Sequence, residues 1–266
     1  MVACPGGCGT VPRVTALTLE CVVRSHVGKR GNNEDAVFAS TRLAAVADGV
    51  GGAAAGEVAS RTIINALIHL DKCRLRAELD QALADAVAWG NETIGFIAQC
   101  RPHMAGMSTT LTAVALANDG RYVVANIGDS RSYLFRDGAL ALLTRDDSLV
   151  QYLIDSGELT VAAARRHPQR SLVLQALDGS HDRKPTVTTI DAREGDRLLL
   201  CSDGLSDMVD DDALVAELSA ASRGACAERL IDRALAAGGR DNVSVVVADV
   251  LPRRDPTTAW SYLDEA

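Results

Sequence analysis

Acidic residues with a glycine or asparagine beside them recur next to apolar runs in this 266-residue sequence. Three such runs, at residues 44–47, 123–127 and 198–201, are each followed within two residues by an aspartate, whereas at residue 241 the run follows the aspartate. If the runs are strands of a sheet, their ends bring the carboxylates together, and clustered anions repel each other strongly unless cations neutralise them. The acidic residues concerned are Glu34, Asp35, Asp48, Asp129, Asp203 and Asp241.

The donor atoms at these positions would be oxygens, because no histidine or cysteine other than Cys201 lies beside the aspartates. Carboxylate and carbonyl oxygens suit Mg²⁺ or Mn²⁺ rather than zinc. Gly49 has no side chain and would let an ion approach its backbone carbonyl closely. Two such ions about 4 Å apart can orient a water molecule, lower its pKa and hold phosphoryl oxygens. The pattern thus indicates how an acidic protein could bind a phosphate group.

Two other interpretations use the same residues. A single Asp-Gly pair is more often a turn than a ligand, so only the convergence of several favours a metal site. Residues 49–54 also fit the loose G-x-G-x-x-A pattern of dinucleotide-binding loops, with Asp71 near the usual distance for a ribose-binding acid. The residues after Asp71 are polar and helical in pattern rather than the required second strand, which disfavours a dinucleotide-dependent oxidoreductase.

Composition and charge limit the function classes further. The sequence has 35 acidic against 27 basic residues and a net charge of −8, which disfavours nucleic acid or an anionic membrane as a partner. No apolar run of about 18 residues predicts a membrane-spanning helix, and the first residues lack the pattern of a signal peptide. The seven cysteines are scattered and expected to be reduced, so we expect a cytoplasmic protein.

The spacing of apolar residues predicts an α+β fold. We expect one domain over residues 14–250, a leader of unknown role over residues 1–13 and a polar tail over residues 251–266. Turn residues at 118–120 and 137–138 favour antiparallel hairpins. Strands are predicted at residues 17–23, 36–39, 43–47, 108–116, 121–127, 132–135, 139–142, 186–190, 197–201 and 243–250, and helices at residues 57–99 (two, broken near residue 71), 147–166 (two) and 222–236.

Taken together, the motifs resemble those of the metal-dependent protein phosphatases of type 2C. Residues 167–172 are similar to the compact bacterial members. The resemblance implies a four-layer α-β-β-α sandwich, in which two antiparallel sheets are flanked by helix pairs and the metals lie in a cleft between the sheet ends. The matching motifs occur in the family's order at residues 30–35, 48–52, 56–57, 106–110, 128–131, 202–205 and 240–242.

The resemblance also implies a set of metal ligands. Asp48 would bridge two ions, and the carbonyl of Gly49 would bind one of them. Asp203 and Asp241 would complete the second ion's ligands, while Glu34 would hold a metal-bound water. The cofactors would therefore be two Mn²⁺ or Mg²⁺ ions.

Further roles follow from the same resemblance. Asp129, together with Asp203, matches the position of a third, weaker ion in bacterial members. Arg30 matches the residue that grips the substrate phosphate, where a planar guanidinium suits two oxygens. Val50 stands where many animal relatives carry a histidine that is a candidate general acid. For Arg131, a salt bridge and a substrate contact both stay open.

Residues 144–170 match the segment called the flap in this family, which lies beside the active site. Its arginines either contact substrate or form a solvated charged face. Asp207, beyond the flap, either caps a helix or contacts a water, and the cap is favoured. The flap arginines are Arg145, Arg165, Arg166 and Arg170.

The sequence therefore predicts hydrolysis of phosphoserine and phosphothreonine in proteins by a water that bridges two metal ions, with Asp48, Asp203 and Arg30 as the catalytic residues. The substrates would include a bacterial Ser/Thr kinase or its targets, and the protein would act as a monomer. The alternative is a catalytically silent phosphoprotein-binding module on the same fold. The presence of Asp48, Asp203 and Asp241 together disfavours it, because a silent module does not need all three.

Overall fold

Two five-stranded antiparallel sheets form the centre of the protein in the computed structural model. The structure describes residues 16–51, 55–73, 78–219 and 222–253. The strands are β1 (Leu17–His26), β2 (Ala36–Ala39), β3 (Leu43–Ala47), β4 (Gly49–Val50), β5 (Ser108–Thr109), β6 (Leu111–Leu116), β7 (Arg121–Ile127), β8 (Arg131–Arg136), β9 (Ala139–Leu142), β10 (Thr186–Asp191), β11 (Arg197–Cys201) and β12 (Val243–Pro252). The first sheet has the order β1-β12-β11-β8-β9, the second has the order β10-β7-β6-β3-β2, and β4 pairs with β5.

Helices cover the outer faces of both sheets. Against the second sheet pack α1 (Ala55–Lys72) and α2 (Leu79–Cys100), and against the first pack α6 (Asp211–Leu218) and α7 (Arg223–Ala236). The α-β-β-α arrangement and the α+β class predicted from the sequence are confirmed. The remaining helices are α3 (Leu149–Asp155), α4 (Val161–Ala164), α5 (Asp203–Ser206) and a 3₁₀ turn at Pro102–Met104.

The central strands are buried on both faces, which is why they read as continuous apolar runs. In β3, Ala45 and Ala47 pack under the helices of the second sheet, while Ala44 and Val46 face the first sheet. Successive side chains of a strand point to opposite faces, so one short run contributes to two separate hydrophobic layers. β12 does the same in the first sheet, because its odd-numbered valines face α7 and its even-numbered residues face the second sheet.

The start of a helix could be predicted from the sequence where a residue with a capping side chain precedes it. Ser222 accepts a hydrogen bond from the N–H of Ala225 at the start of α7, and Thr160 accepts one from Ala163 at the start of α4. The sequence analysis missed α5 and α6, which carry no long apolar periodicity. The strand predicted at residues 108–116 is interrupted at Thr110, whose N–H donates instead to the carbonyl of Asp48 at 2.9 Å.

The first and last strands are longer than predicted from the sequence. β1 continues to His26, and β12 continues to Pro252, two residues into the segment predicted as a tail. The predicted leader and residues 254–266 lie outside the described residues. Over the described ranges, the structure contains no helix with the length and apolarity that crossing a bilayer requires.

The register of the strands brings the candidate site residues to one edge of the sandwich. The ends of β3 and β7 lie together because both pair with β6. Cys201, at the end of β11, pairs with Val245 near the start of β12. The loops that leave these strand ends, together with the loop between β1 and β2, form the candidate site.

Candidate metal centre and active site

Five aspartates converge at this edge, as the sequence predicts for Asp48, Asp129, Asp203 and Asp241. Asp48 follows β3 and lies within hydrogen-bonding reach of the carboxyls of Asp35 and Asp203. Asp129 and Asp241 are close enough to repel Asp48 electrostatically. The cluster joins the ends of both sheets, so no single loop could build it.

Burial and mutual repulsion raise the pKa of four carboxyls of the cluster, those of Asp35, Asp48, Asp129 and Asp203. Burial raises the pKa of Asp48 well above its usual range, and the charges of Asp35 and Asp203 raise it further. Burial and the charges of neighbouring aspartates raise the pKa of Asp203 in the same way. Burial raises the pKa of Asp129 to about 7 and that of Asp35 to about 6. Such a cluster holds protons or cations at neutral pH.

The chemistry of the cluster fits divalent cations. Among the described residues, Oδ1 of Asp203 and Oδ1 of Asp35 are buried and have no hydrogen-bond partner. A buried polar oxygen without a partner is costly, and a cation supplies the missing interaction. The donor set contains oxygen atoms only, which suits Mg²⁺ or Mn²⁺.

Gly49 and Gly56 make room for the ligand atoms. A Cβ on Gly49 would lie 2.3 Å from the carbonyl oxygen of Gly56 and 2.7 Å from that of Glu34, so no side chain fits there. A Cβ on Gly56 would lie 2.3 Å from Oε2 of Glu34. The carboxylate of Glu34 therefore lies beside the Gly49–Gly56 contact.

Arg30 lies at the mouth of the cluster and pairs with Asp241. Its Nη2 is 2.5 Å from Oδ2 of Asp241, and its side chain is 58% exposed. Among the residues that the structure describes, no group of three or more histidine, cysteine, aspartate or glutamate side chains is arranged as it stands to hold a metal ion. The guanidinium of Arg30 thus contacts Asp241, one of the ligands predicted from the sequence.

Buried amide and hydroxyl groups fix the loops around the cluster. Asn242 accepts a hydrogen bond from the N–H of Glu34 at 2.8 Å and donates to the carbonyls of Val27 and Asn32, both at 2.9 Å. Ser202 donates to Oδ2 of Asp35 at 2.9 Å. The sequence analysis counted Asp35 among the converging carboxylates without giving it a role of its own. It gave Asn242 no role, although Asn242 directly follows Asp241, which it had assigned.

Comparison with known proteins identifies the family. The model of the family described as "Protein phosphatase 2C" matches residues 23–237. The chain belongs to the protein phosphatase 2C family. The resemblance stated from the sequence motifs is therefore confirmed.

Curated relatives and solved structures agree with this assignment. The chain is 50% identical over 240 residues to the serine/threonine protein phosphatase PstP of Mycobacterium tuberculosis, covering 90% of this chain and 46% of that protein. It thus spans about half the length of that relative. The serine/threonine phosphatase stp of Listeria welshimeri is 35% identical, with 77% of this chain and 82% of that protein covered. The crystal structure of the catalytic domain of PstP in complex with two manganese ions has 48% identity and a TM-score of 0.83, covering 88% of this chain and 99% of that one.

Asp207 lies at the carboxylate cluster of this phosphatase 2C domain, and it is also the C-cap residue of α5, where its backbone N–H donates to the carbonyl of Asp203. Asp210 is the N-cap of α6, where it accepts the N–H of Ala213. The carboxylate of Asp207 lies 3.4 Å from Nε of Arg170, and its charge raises the pKa of Asp203. Asp207 comes four residues after Asp203 across the single turn of α5, and residues at this spacing share a face. This spacing was the signal that could have placed it in the site.

The structure settles the open alternatives for Arg131. Its guanidinium makes a two-pronged contact with Asp146, with Nε at 2.9 Å from Oδ1 and Nη2 at 2.6 Å from Oδ2. It also donates to the hydroxyl of Tyr133 at 3.3 Å. Since Asp146 is buried, Arg131 neutralises a structural carboxylate beside Asp129 rather than facing substrate.

A hydrogen bond anchors the N-terminal part of the flap, and one flap arginine contacts a carboxylate of the site. The N–H of Gly128 donates to Oδ2 of Asp147 at 3.0 Å, which anchors the flap beside Asp129. Arg145 pairs with Asp155 inside the flap, so it stabilises the flap itself. Only Arg170, of the four predicted flap arginines, pairs with a carboxylate of the site within the described residues.

Proposed function

We propose that this chain hydrolyses phosphoserine and phosphothreonine in proteins with the help of two Mn²⁺ or Mg²⁺ ions. Membership of the phosphatase 2C family supports the reaction class. The observation that carries the proposal is the buried group of mutually repelling carboxylates, in which Oδ1 of Asp203 has no partner among the described residues. Two bound divalent ions supply a nucleophilic water at neutral pH and neutralise charge on the phosphoryl oxygens.

The proposed ligands follow the sequence assignments. A carboxyl must be deprotonated to bind a cation, and the raised pKa values of Asp48 and Asp203 mean that ion binding by these two residues would release protons. Asp35 stays outside the ligand set and holds the carboxyl of Asp48 in place. The ligands would be Asp48 for both ions, Gly49 through its carbonyl, Asp203 and Asp241 for the second ion, Glu34 through a water, and Asp129 with Asp203 for a third ion.

Arg30 would exchange one anion for another. Its guanidinium pairs with Asp241. When Asp241 acts as a ligand, its charge is shared with a cation, and the guanidinium becomes available to two oxygens of the substrate phosphate. The exposed position of Arg30 allows this movement. Catalysis would thus depend on Asp48 and Asp203 for the ions and on Arg30 for the phosphate.

The experiment is turnover of a phosphothreonine peptide by the wild-type chain in Mn²⁺, in Mg²⁺ and in chelator. We expect turnover that requires a divalent ion and that Asp203→Asn removes, while the exposed-site control Asp182→Asn keeps it. If the wild type binds the peptide but does not hydrolyse it in either ion, the alternative of a silent binding module replaces this proposal.

The proposed cellular role is reversal of a bacterial Ser/Thr kinase, in the cytoplasm and as a monomer. A relative of 50% identity is a serine/threonine protein phosphatase of a bacterium, which supports this class of substrate. An autophosphorylated bacterial kinase domain, incubated with the chain and Mn²⁺, should lose its phosphate. Retention of that phosphate while a peptide is hydrolysed would contradict the role without affecting the reaction.

A further inference from the structure

A pocket of about 60 Å³ opens beside the carboxylate cluster. Asp203 and Asp241 form part of its wall, so it is continuous with the proposed metal site. The pocket extends beyond that site toward the flap and the loop after α7. The residues that complete its wall are Arg170, Ser171, Asp207, Met208 and Arg240.

The turn before Arg240 fixes this residue at the pocket wall. Gly238 and Gly239 have φ values of 132° and 50°, a region that favours glycine. The N–H of Lys29 donates to the carbonyl of Gly239 at 2.8 Å, which ties the turn to the loop that carries Arg30. A Cβ on Gly238 would lie 3.9 Å from Nε of Arg240, so the arginine side chain lies along this glycine.

Two arginines line the pocket, and they differ in their contacts. Arg170 pairs with a carboxylate, whereas Arg240 has no carboxylate partner among the described residues. Arg170 faces Asp207 at 3.4 Å, and Arg30, beside the pocket, faces Asp241 at 2.5 Å. Within the described part of the chain, the guanidinium of Arg240 has neither a hydrogen bond nor an ion pair.

The charge of the wall depends on occupation of the metal site. Asp203 and Asp241 would be neutralised by divalent ions, and Asp207 is already paired with Arg170. The charge that remains is that of Arg240, in a protein whose net charge is −8. Screening limits the effect of the distant acidic residues to about 8–10 Å, so the pocket would attract an anion although the protein as a whole repels one.

We infer that Arg240 binds a second anionic group of the substrate, a carboxylate or a phosphate close in sequence to the phosphoresidue that is hydrolysed. This inference rests on the proposed function, because it places the scissile phosphate at the neighbouring carboxylate cluster. Asp203 and Asp241 border both places, so the two anions lie side by side. An extended peptide advances about 3.3–3.6 Å per residue, so the second anion is sought at the few positions on each side of the phosphoresidue.

The test compares phosphothreonine peptides that differ only in one flanking group. One glutamate is moved across the three positions on each side of the phosphothreonine in otherwise neutral peptides. In a second series, a phosphonate that cannot be hydrolysed replaces the glutamate at these flanking positions. Comparison of the two series distinguishes a phosphate from a carboxylate as the natural group. The variants are Arg240→Gln, Lys29→Gln at the same rim but outside the pocket wall, and Arg193→Gln at the opposite end of the sheets. All three remove one exposed positive charge.

We expect the wild type to prefer one placement of the anion by a lower KM, about three- to tenfold, as a charge-assisted contact in a partly open pocket provides. Arg240→Gln should remove this preference and leave the KM of the neutral peptide and of p-nitrophenyl phosphate unchanged. Lys29→Gln and Arg193→Gln should keep the preference. Thermal melting of each variant confirms that the fold is retained.

Three results would overturn the inference. The wild type could show no preference at any placement, Arg240→Gln could raise the KM of all substrates alike, or Lys29→Gln could remove the preference as fully as Arg240→Gln. Fluorescence polarisation with a peptide that carries a phosphonate at the scissile position repeats the comparison without turnover. If the wild type hydrolyses no phosphopeptide but still shows the binding preference, the proposed function fails and the anion subsite stands.

Discussion

Asp35 provides a quantitative test of the electrostatics of the cluster. Its Oδ2 accepts a hydrogen bond from Ser202 at 2.9 Å, and its Oδ1 has no partner among the described residues. Burial raises its pKa from 3.8 to about 6. In Asp35→Asn, the side-chain oxygen can still accept from Ser202, and the new amide can donate to the carboxyl of Asp48. The substitution therefore removes an ionisation while it keeps the shape of the site.

The sign of the effect follows from proton linkage. The folded protein keeps Asp35 protonated up to about pH 6, whereas the unfolded chain ionises it near 3.8. The folded state thus binds more protons between these values, and its stability falls as the pH rises through this window. A difference of about two pKa units corresponds to about 3 kcal/mol at pH 8, since one unit is about 1.4 kcal/mol.

We expect the metal-free Asn variant to be more stable than the wild type at pH 8, by on the order of 5–10 °C in Tm. The difference should shrink toward zero near pH 4. Calorimetry in chelator across this pH range measures it, and Asp182→Asn, which removes an exposed carboxylate, serves as the control and should show no such pH dependence. An Asn variant that is less stable than the wild type at pH 8, or a difference that does not change with pH, would refute the electrostatic reasoning.

Other substitutions test further parts of the site. Arg30→Ala should raise the KM for a phosphopeptide more than it lowers kcat, because its contact with the phosphate is made mainly in the ground state; an unchanged KM would show that Arg30 only neutralises Asp241. Val50 is 47% exposed beside the cluster, so a histidine there could protonate the leaving group. Val50→His should therefore flatten the dependence of kcat on leaving-group pKa across aryl and alkyl phosphates and add an ionisation at about 6.5. A shallow dependence already present in the wild type would mean that another residue is the acid. Asp146→Asn should lower the free energy of urea unfolding by about 2–3 kcal/mol, because it leaves the guanidinium of Arg131 without its counter-charge; a loss below about 0.5 kcal/mol would contradict the structural role of this pair.

The central strands and their chemistry were predictable because each depends on local sequence. β3 and β11 read as apolar runs since both of their faces are buried, and Asp48 and Asp203 follow them directly. The glycine beside each aspartate was also visible in the sequence, although the contact that requires it is not local. A Cβ on Gly49 would lie 2.3 Å from the carbonyl oxygen of Gly56 in α1, and a Cβ on Gly204 would lie 2.0 Å from that of Asn242.

The features that the sequence did not predict depend on contacts between distant loops. Asp35 was expected in the cluster, but its contacts with Asp48 and Ser202, which follow two different strands, were not. The Arg30–Asp241 pair joins residues that are 211 positions apart. α5 is a single turn, too short for a periodic signal, so the position of Asp207 opposite Arg170 was not visible as a pattern of apolar residues.

Direct measurement of Mn²⁺ binding tests the central claim that the carboxylate cluster holds two catalytic ions. Titration calorimetry of the metal-free wild type should show two sites, and Asp48→Asn, which alters the proposed bridging ligand, should weaken both. The loss of affinity should exceed the roughly 10–100-fold that removal of an outer hydrogen-bond partner costs, and turnover of a phosphothreonine peptide should fall with it. Asp182→Asn should bind and turn over as the wild type does. A folded Asp48→Asn protein that binds two Mn²⁺ ions with wild-type affinity and hydrolyses the peptide at the wild-type rate would contradict the account.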